Sequence, residues 1–105
     1  MEEQELLVEE KDSIACIYLN RPRSMNSFNF NMLNALNQAI EDIRFKKEIR
    51  VVIITGKGEK AFCAGADLKE RATLSETEVK RFILTIRSLF TAIEYLPKPV
   101  IAAVN

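Results

Sequence analysis

Val51-Val52-Ile53-Ile54-Thr55-Gly56-Lys57-Gly58-Glu59-Lys60-Ala61-Phe62-Cys63-Ala64-Gly65-Ala66-Asp67-Leu68-Lys69-Glu70 is the stretch on which the fold turns. Val51 to Ile54, four branched apolar residues in a row, read as a strand buried on both faces. A Gly- and Lys-rich loop follows, then a run of very small residues, then an acidic lead into a short helix near Asp67 or Leu68. In open parallel sheets ligands bind beyond the carboxyl ends of the strands, where Cys63 to Asp67 would lie. Small side chains let a ligand approach the backbone, and Gly65 can take conformations closed to other residues. With a helix starting just after it, the amide of Ala66 would be free and near the positive end of the helix dipole, a place for an anion or a developing oxyanion. A tight turn packed with small residues has the same composition, and that alternative stays open at this point.

Upstream, Leu6 to Glu10 and Ile14 to Leu19 are apolar runs separated by Lys11-Asp12-Ser13, which predicts a hairpin. Ile14, Cys16 and Tyr18 alternate with Ala15, Ile17 and Leu19, so neither face is polar; the strand is expected to be covered on both sides, with Cys16 a small buried side chain. Pro22 ends the strand, and Asn20 to Asn26 read as a loop with solvated arginines. From about Asn29, Met32, Leu33, Leu36, Ile40 and Ile43 recur at helical spacing, with Ser27 and Asn29 as available N-caps and Arg44, Lys46 and Lys47 near the C-terminus. Asn31, Asn34 and Asn37 fall on the other side.

Downstream, Ser75 and Glu78 have the spacing of a capping box. Val79, Phe82, Ile83, Ile86, Leu89, Phe90 and Ile93 make a wide apolar stripe on a long helix, which Pro97 and Pro99 stop. Val100 to Val104 read as another buried strand. The strand-helix order predicts two successive parallel crossovers. An uncovered apolar strand at Val100 to Val104 is expected to promote self-association.

The 105 residues suffice for one small domain, and the apolar share of 48% with 29% charged residues places it among ordinary globular chains. Fifteen Lys and Arg balance fifteen Asp and Glu, leaving no electrostatic footprint for nucleic acid or anionic lipid. The acidic start carries no signal or transit character, and no apolar run approaches the roughly 20 residues of a membrane span. A cytoplasmic location is expected, or an organelle matrix if a presequence has been removed. With no histidine, Ser-His-Asp and Cys-His catalysis and the common zinc sites are excluded within this chain. Cys16 and Cys63 make no disulfide framework, and Cys63 has no histidine base to make it a nucleophile. Neither a phosphate loop nor a dinucleotide fingerprint is present. Asp67 and Glu70, three apart, read as helix-start partners.

Taken together, Asn20-Arg21-Pro22, Asn26, the strand into Thr55-Gly56, Phe62 to Glu70, and Lys98-Pro99-Val100-Ile101-Ala102-Ala103-Val104-Asn105 resemble the enoyl-CoA hydratase/isomerase (crotonase) family, in order and over nearly the whole chain. The resemblance implies an α/β fold, the crotonase-like (ClpP/crotonase) ββα spiral. Residues 1–105 would supply the amino-terminal part of that single domain, with an initial hairpin and two parallel crossovers, stopping before the glycine-rich segment that gives the family's second oxyanion amide. It implies an acyl-CoA thioester substrate and parents assembled as trimers or hexamers. Coenzyme A belongs to the substrate, and neither a separate cofactor nor a metal is implied.

Residue by residue, Ala66 matches the family position whose backbone N–H forms half of an oxyanion hole. Ala64 matches a position lining the CoA adenine site. Gly65, Asp67, Leu68 and Lys69 are expected to bind acyl-CoA with it, the last three continuing the wall, and Arg23, Ser24 and Met25 match the loop that touches CoA. The reaction implied is addition of water across the double bond of a 2-enoyl-CoA through an enolate. A crotonase-type isomerase and a non-catalytic CoA-binding or assembly module are the alternatives. No carboxylate matches the family's two catalytic glutamates, so the chain alone is expected to be inactive. Phe62 to Arg71 look most like the 3-methylglutaconyl-CoA hydratase branch, whose mammalian member also binds RNA through lysines on the first helix. The matching positions are Phe30, Asn34 and Gln38, so no nucleic-acid partner is expected.

Overall fold

The computed structural model describes residues 4–105; the first three residues of the acidic start lie outside them. Strands β1 (Leu6–Lys11) and β2 (Ile14–Leu19) form the expected antiparallel hairpin. Asp12 (φ 52°) and Ser13 (φ 67°) both take the left-handed conformation, as a two-residue turn between right-twisted strands requires. Helix α1 (Phe30–Arg44) carries the chain to β3 (Val51–Gly56), parallel to β2. Helices α2 (Leu68–Arg71) and α3 (Glu76–Glu94) then lead to β4 (Val100–Ala103), parallel to β3. The sheet runs β1-β2-β3-β4, so both predicted crossovers are present.

Local sequence explains the helix ends. Asn29 caps α1, its side chain accepting from the Met32 amide at 2.8 Å. Ser75 and Glu78 form a complete capping box on α3. Helix α3 ends at Glu94, ahead of Pro97 and Pro99. Lys98 closes the other end of α1: its ammonium donates to the carbonyls of Ile43, at 2.6 Å, and Lys46. A cation there also suits the negative end of the helix dipole.

All five stripe residues of α1, from Met32 to Ile43, are buried. They meet Ala15, Ile17 and Leu19 of β2 and Val52 and Ile54 of β3 in one core, completed by Phe82 and Leu89 of α3. The register pairs Ala15 with Val52 and Ile17 with Ile54, so the buried side chains of adjacent strands share a face.

Two expectations are corrected. Among the described residues the sheet is not covered on both sides: α1 and α3 pack into the core on one face, and on the other Ile14 is exposed while Cys16, Tyr18 and Ile53 are only half-buried. Cys16 is therefore not a core side chain. Tyr18 on that open face lies under the Lys57 ammonium, 4.1 Å from the ring centroid, a cation–π contact. Strand β4 is not buried either. It pairs on one side only, and Ile101 is 52% exposed. The wide stripe of α3 is likewise only partly used, since Phe82 and Leu89 are buried while Ile83 and Phe90 are exposed.

Candidate functional site

The chain leaving β2 and the chain leaving β3 run side by side at one end of the sheet. After β2, Pro22–Ser24 make a single 3-10 turn, and Met25 (φ 56°) and Asn26 (φ 54°) turn the backbone through the left-handed region. After β3, the small-residue run is bonded to this loop: Ala64 N–H donates to Met25 O (3.0 Å), Phe28 N–H to Gly65 O (2.7 Å), and Asp67 N–H to Phe28 O (2.8 Å). The last two bonds make an isolated parallel bridge between Phe28 and Ala66.

Such a bridge decides what the Ala66 amide does. Phe28 bonds the residues on either side of Ala66, so the N–H of Ala66 itself points away from Phe28. Among the described residues it donates to no acceptor. The sequence expectation of a free amide holds, but its cause differs. Helix α2 is a single turn, its N-cap is Asp67, and the amide is freed by the bridge one residue earlier. A dipole of one turn contributes little.

A cleft of about 440 Å³ opens between the two segments, lined by Arg23, Ser24, Met25, Ser27, Ala64, Ala66, Asp67, Leu68 and Lys69. It brings together every site residue anticipated from the sequence except Gly65. Gly65 does not line it; it takes φ +93°, accepts the Phe28 bond, and so sets the direction of the residues that do. Leu68 stands out at 73% exposure, an apolar side chain at the rim. Arg23 and Lys69 are the cations of the lining.

Among the described residues Asp67 is the one carboxylate of the lining, and it is fully engaged. One oxygen accepts from the amides of Lys69 (2.9 Å) and Glu70 (3.2 Å), and the other accepts from the Arg21 guanidinium (2.9 Å). Burial pushes its carboxyl up, but the Arg21 bond, the two amides and the Arg21 charge together hold it below the ordinary 3.8. Glu70 accepts from the Phe30 amide at 2.9 Å. Both acids are structural partners, as their position at a helix start implies. Burial raises the Cys63 thiol, partly offset by the Gly65 amide on its sulfur, which argues against a nucleophilic role.

Sequence reasoning missed three parts of the site. Ser27 lines the cleft, and its hydroxyl and carbonyl both accept from Arg21. Arg21, read from the residues alone as a solvated loop cation and by resemblance only as part of the family's loop motif, is largely buried between Glu5, Ser27 and Asp67. Asn26 is 1% exposed and joins the loop to the end of β3. Pro22 signalled only a turn, and nothing periodic marks a contact between segments 46 residues apart. A separate cavity of about 470 Å³, walled by Phe28, Phe62, Phe90, Ile93 and Val100 among others, was also not foreseen.

The profile of the enoyl-CoA hydratase/isomerase family matches residues 9–105. This chain belongs to that family. It is 37% identical, over its whole length and 40% of the relative's, to a short-chain-enoyl-CoA hydratase of Clostridium acetobutylicum. To the mitochondrial methylglutaconyl-CoA hydratase of Homo sapiens it is 39% identical over 94% of the chain and 29% of that relative. These identities do not single out one branch of the family. The crystal structure of an enoyl-CoA hydratase from Bacillus anthracis superimposes with a TM-score of 0.94 at 45% identity, covering 97% of this chain and 40% of that one. The architecture is the crotonase fold, with a mixed four-stranded sheet over the part this enoyl-CoA hydratase/isomerase family member covers. It spans two-fifths or less of the length of these relatives. No helix among the described residues is long and apolar enough to cross a membrane.

Proposed function

We propose that this chain supplies the acyl-CoA-binding part of an enoyl-CoA hydratase site, with the Ala66 N–H as one donor of an oxyanion hole. The observation that carries the reading is the unpaired Ala66 amide in the wall of a cleft built from the 23–27 and 64–69 segments. A thioester oxygen gains negative charge as the enolate forms, and a fixed amide that needs no reorganisation stabilises that charge. Losing one such donor typically costs about two to three orders of magnitude in rate. Arg23 and Lys69 suit the anionic phosphates of CoA, Ser24, Met25, Asp67 and Leu68 make up the walls, and Ala64 leaves room for the nucleotide.

Asp67, the only carboxylate lining the cleft among the described residues, is tied to Arg21 and two amides and cannot serve as the acid or base that hydration needs. That favours a division in which this chain binds and polarises the thioester while the acid–base groups belong to the remainder of a single domain of the relatives' length. The same observation supports the second reading, a non-catalytic CoA-binding or assembly module. An isomerase would use the same donor. Trimers or hexamers of the complete protein are part of the proposal, as are the absence of a nucleic-acid partner and of any cofactor beyond substrate-borne CoA.

Loss of enoyl-thioester absorbance, followed with the 105-residue chain and with the complete protein, tests this. Turnover by the complete protein and none by the chain is expected, with CoA binding by both. Turnover by the chain alone would refute the division of labour, and absence of CoA binding by either would refute the site.

A further inference from the structure

The side chain of Arg21 is 16% exposed and spends its donors on three separate segments. Its Nε pairs with Glu5 just before β1 (2.8 Å). Its Nη1 donates to the carbonyl (2.7 Å) and hydroxyl (3.2 Å) of Ser27. Its Nη2 pairs with Asp67 (2.9 Å). Ser27 and Asp67 are the residues that flank the Phe28–Ala66 bridge, one before Phe28 and one after Ala66. A single planar guanidinium therefore grips both strands of the bridge that leaves the Ala66 amide free. Around it, Glu5 is fixed by Asn29 at 2.6 Å, and Asp67 by the α2 amides, so the partners are themselves held.

From this geometry we propose that Arg21 is a positioning residue for the Ala66 amide: it touches no substrate but fixes the direction of the oxyanion donor through Ser27 and Asp67. The role rests on the reading of Ala66 given above. Lysine cannot reproduce the grip, because an ammonium is a point charge without the rigid fork that meets Glu5, Ser27 and Asp67 at once. Displacing a reacting group by about 1 Å costs on the order of 100-fold, so a loosened bridge acts on the charged state of the ligand far more than on its CoA handle.

The test compares Arg21→Lys and Asp67→Asn with wild type in the complete protein, by two measurements. The first is hydrogen exchange, where faster exchange in residues 26–28 and 64–67, with β2 and β3 unchanged, is expected. The second is affinity for free CoA against a 3-oxoacyl-CoA, whose thioester ionises to an enolate. Wild type is expected to prefer the 3-oxoacyl-CoA, and each variant to lose roughly 10- to 100-fold of that preference; Arg21→Lys, at a position outside the cleft lining, is expected to hold free CoA as before. Asp67→Asn keeps the helix cap and side-chain volume, so it serves if Arg21→Lys fails to fold. A wild type without thioester preference sinks the Ala66 reading and this role with it. A wild-type preference that both variants retain sinks the role of Arg21 alone. An equal loss for CoA and thioester makes Arg21 merely structural and also overturns the proposal.

Discussion

Asn26 reaches its hydrogen-bond acceptors only because Gly56 has no side chain: a Cβ at position 56 would lie 2.7 Å from Asn26 Nδ2 and 2.6 Å from the Phe62 carbonyl. Through that gap the Asn26 amide donates to Lys57 O and Ala61 O, both at 2.9 Å, while its oxygen accepts from Arg21 N–H at 2.8 Å. The junction ties the end of β3 to the loop that lines the cleft. Gly56→Ala is predicted to destabilise by about 1–3 kcal/mol, as overpacking does. Asn26→Ala strands buried partners at about 1–3 kcal/mol per group and should cost at least as much. Because both changes break one junction, their effects in urea unfolding should fall short of additive. Full additivity would show the two positions to be independent.

Asp67 gives the site a defined acid limit. Its folded pKa is below the ordinary 3.8, so the folded chain binds this proton less readily than the unfolded one. The stabilising contribution is therefore present above that ordinary value and lost as pH falls through the lower folded pKa. Limited proteolysis or hydrogen exchange of residues 64–70 is expected to stay slow down to about pH 4 and to accelerate below it. In Asp67→Asn that acid step should vanish, with exchange faster than wild type above about pH 4 and converging with it below. An unchanged acid step in the variant would assign the transition to another group, such as Glu78, whose capping interaction with the Ser75 backbone and hydroxyl also lowers its carboxyl.

The crossovers were legible because helical spacing and capping chemistry are local. Met32 to Ile43 could face only one core, and Ser75 with Glu78 could cap only one helix start. The one-sided sheet was not legible, since Ile14-Ala15-Cys16-Ile17 reads the same whether its second face meets a neighbouring element or lies open. The place of the cleft at Ala64 and Ala66 was legible from the end of β3, with a plain tight turn as the alternative; only family resemblance added Lys69 and the loop of Arg23. What holds that lining in place escaped both routes. Arg21 precedes a proline and looks like an ordinary loop cation until the fold brings Glu5 and Asp67 to it.

The hairpin turn offers a stabilisation that leaves the cleft untouched. Asp12 and Ser13 both sit at positive φ, where a Cβ is strained and glycine is not. The Ser13 carbonyl accepts from Arg50 (2.8 Å) and Val51 (3.3 Å), backbone bonds that survive loss of the side chain. Relief of roughly 1 kcal/mol is expected for Ser13→Gly, partly offset by the looser unfolded chain. In a chain of this size that corresponds to a midpoint higher by a few degrees, about 4–8 °C per kcal/mol. A lower midpoint would mean that the Ser13 side chain contributes something beyond its conformation.

Arg23 and Lys69 test whether the cleft faces phosphate. They stand on opposite segments of the lining, one beside Pro22 and the other in the single turn of α2. Each is an exposed cation, and an exposed ion pair contributes about 0.2–1 kcal/mol. Arg23→Ala or Lys69→Ala in the complete protein is therefore predicted to weaken CoA binding by only about 1.5- to 5-fold. Charge reversal at both positions replaces attraction with repulsion and should deepen the loss beyond the product of the two alanine effects. The wild-type affinity should fall with added salt and the reversed variant's should not, because screening removes attraction and repulsion alike. Dephospho-CoA, with one phosphate fewer, should narrow the gap between wild type and variants if either cation meets the ribose phosphate. CoA affinity that ignores both substitutions and salt would place the phosphates elsewhere and leave the cleft to the uncharged parts of the ligand.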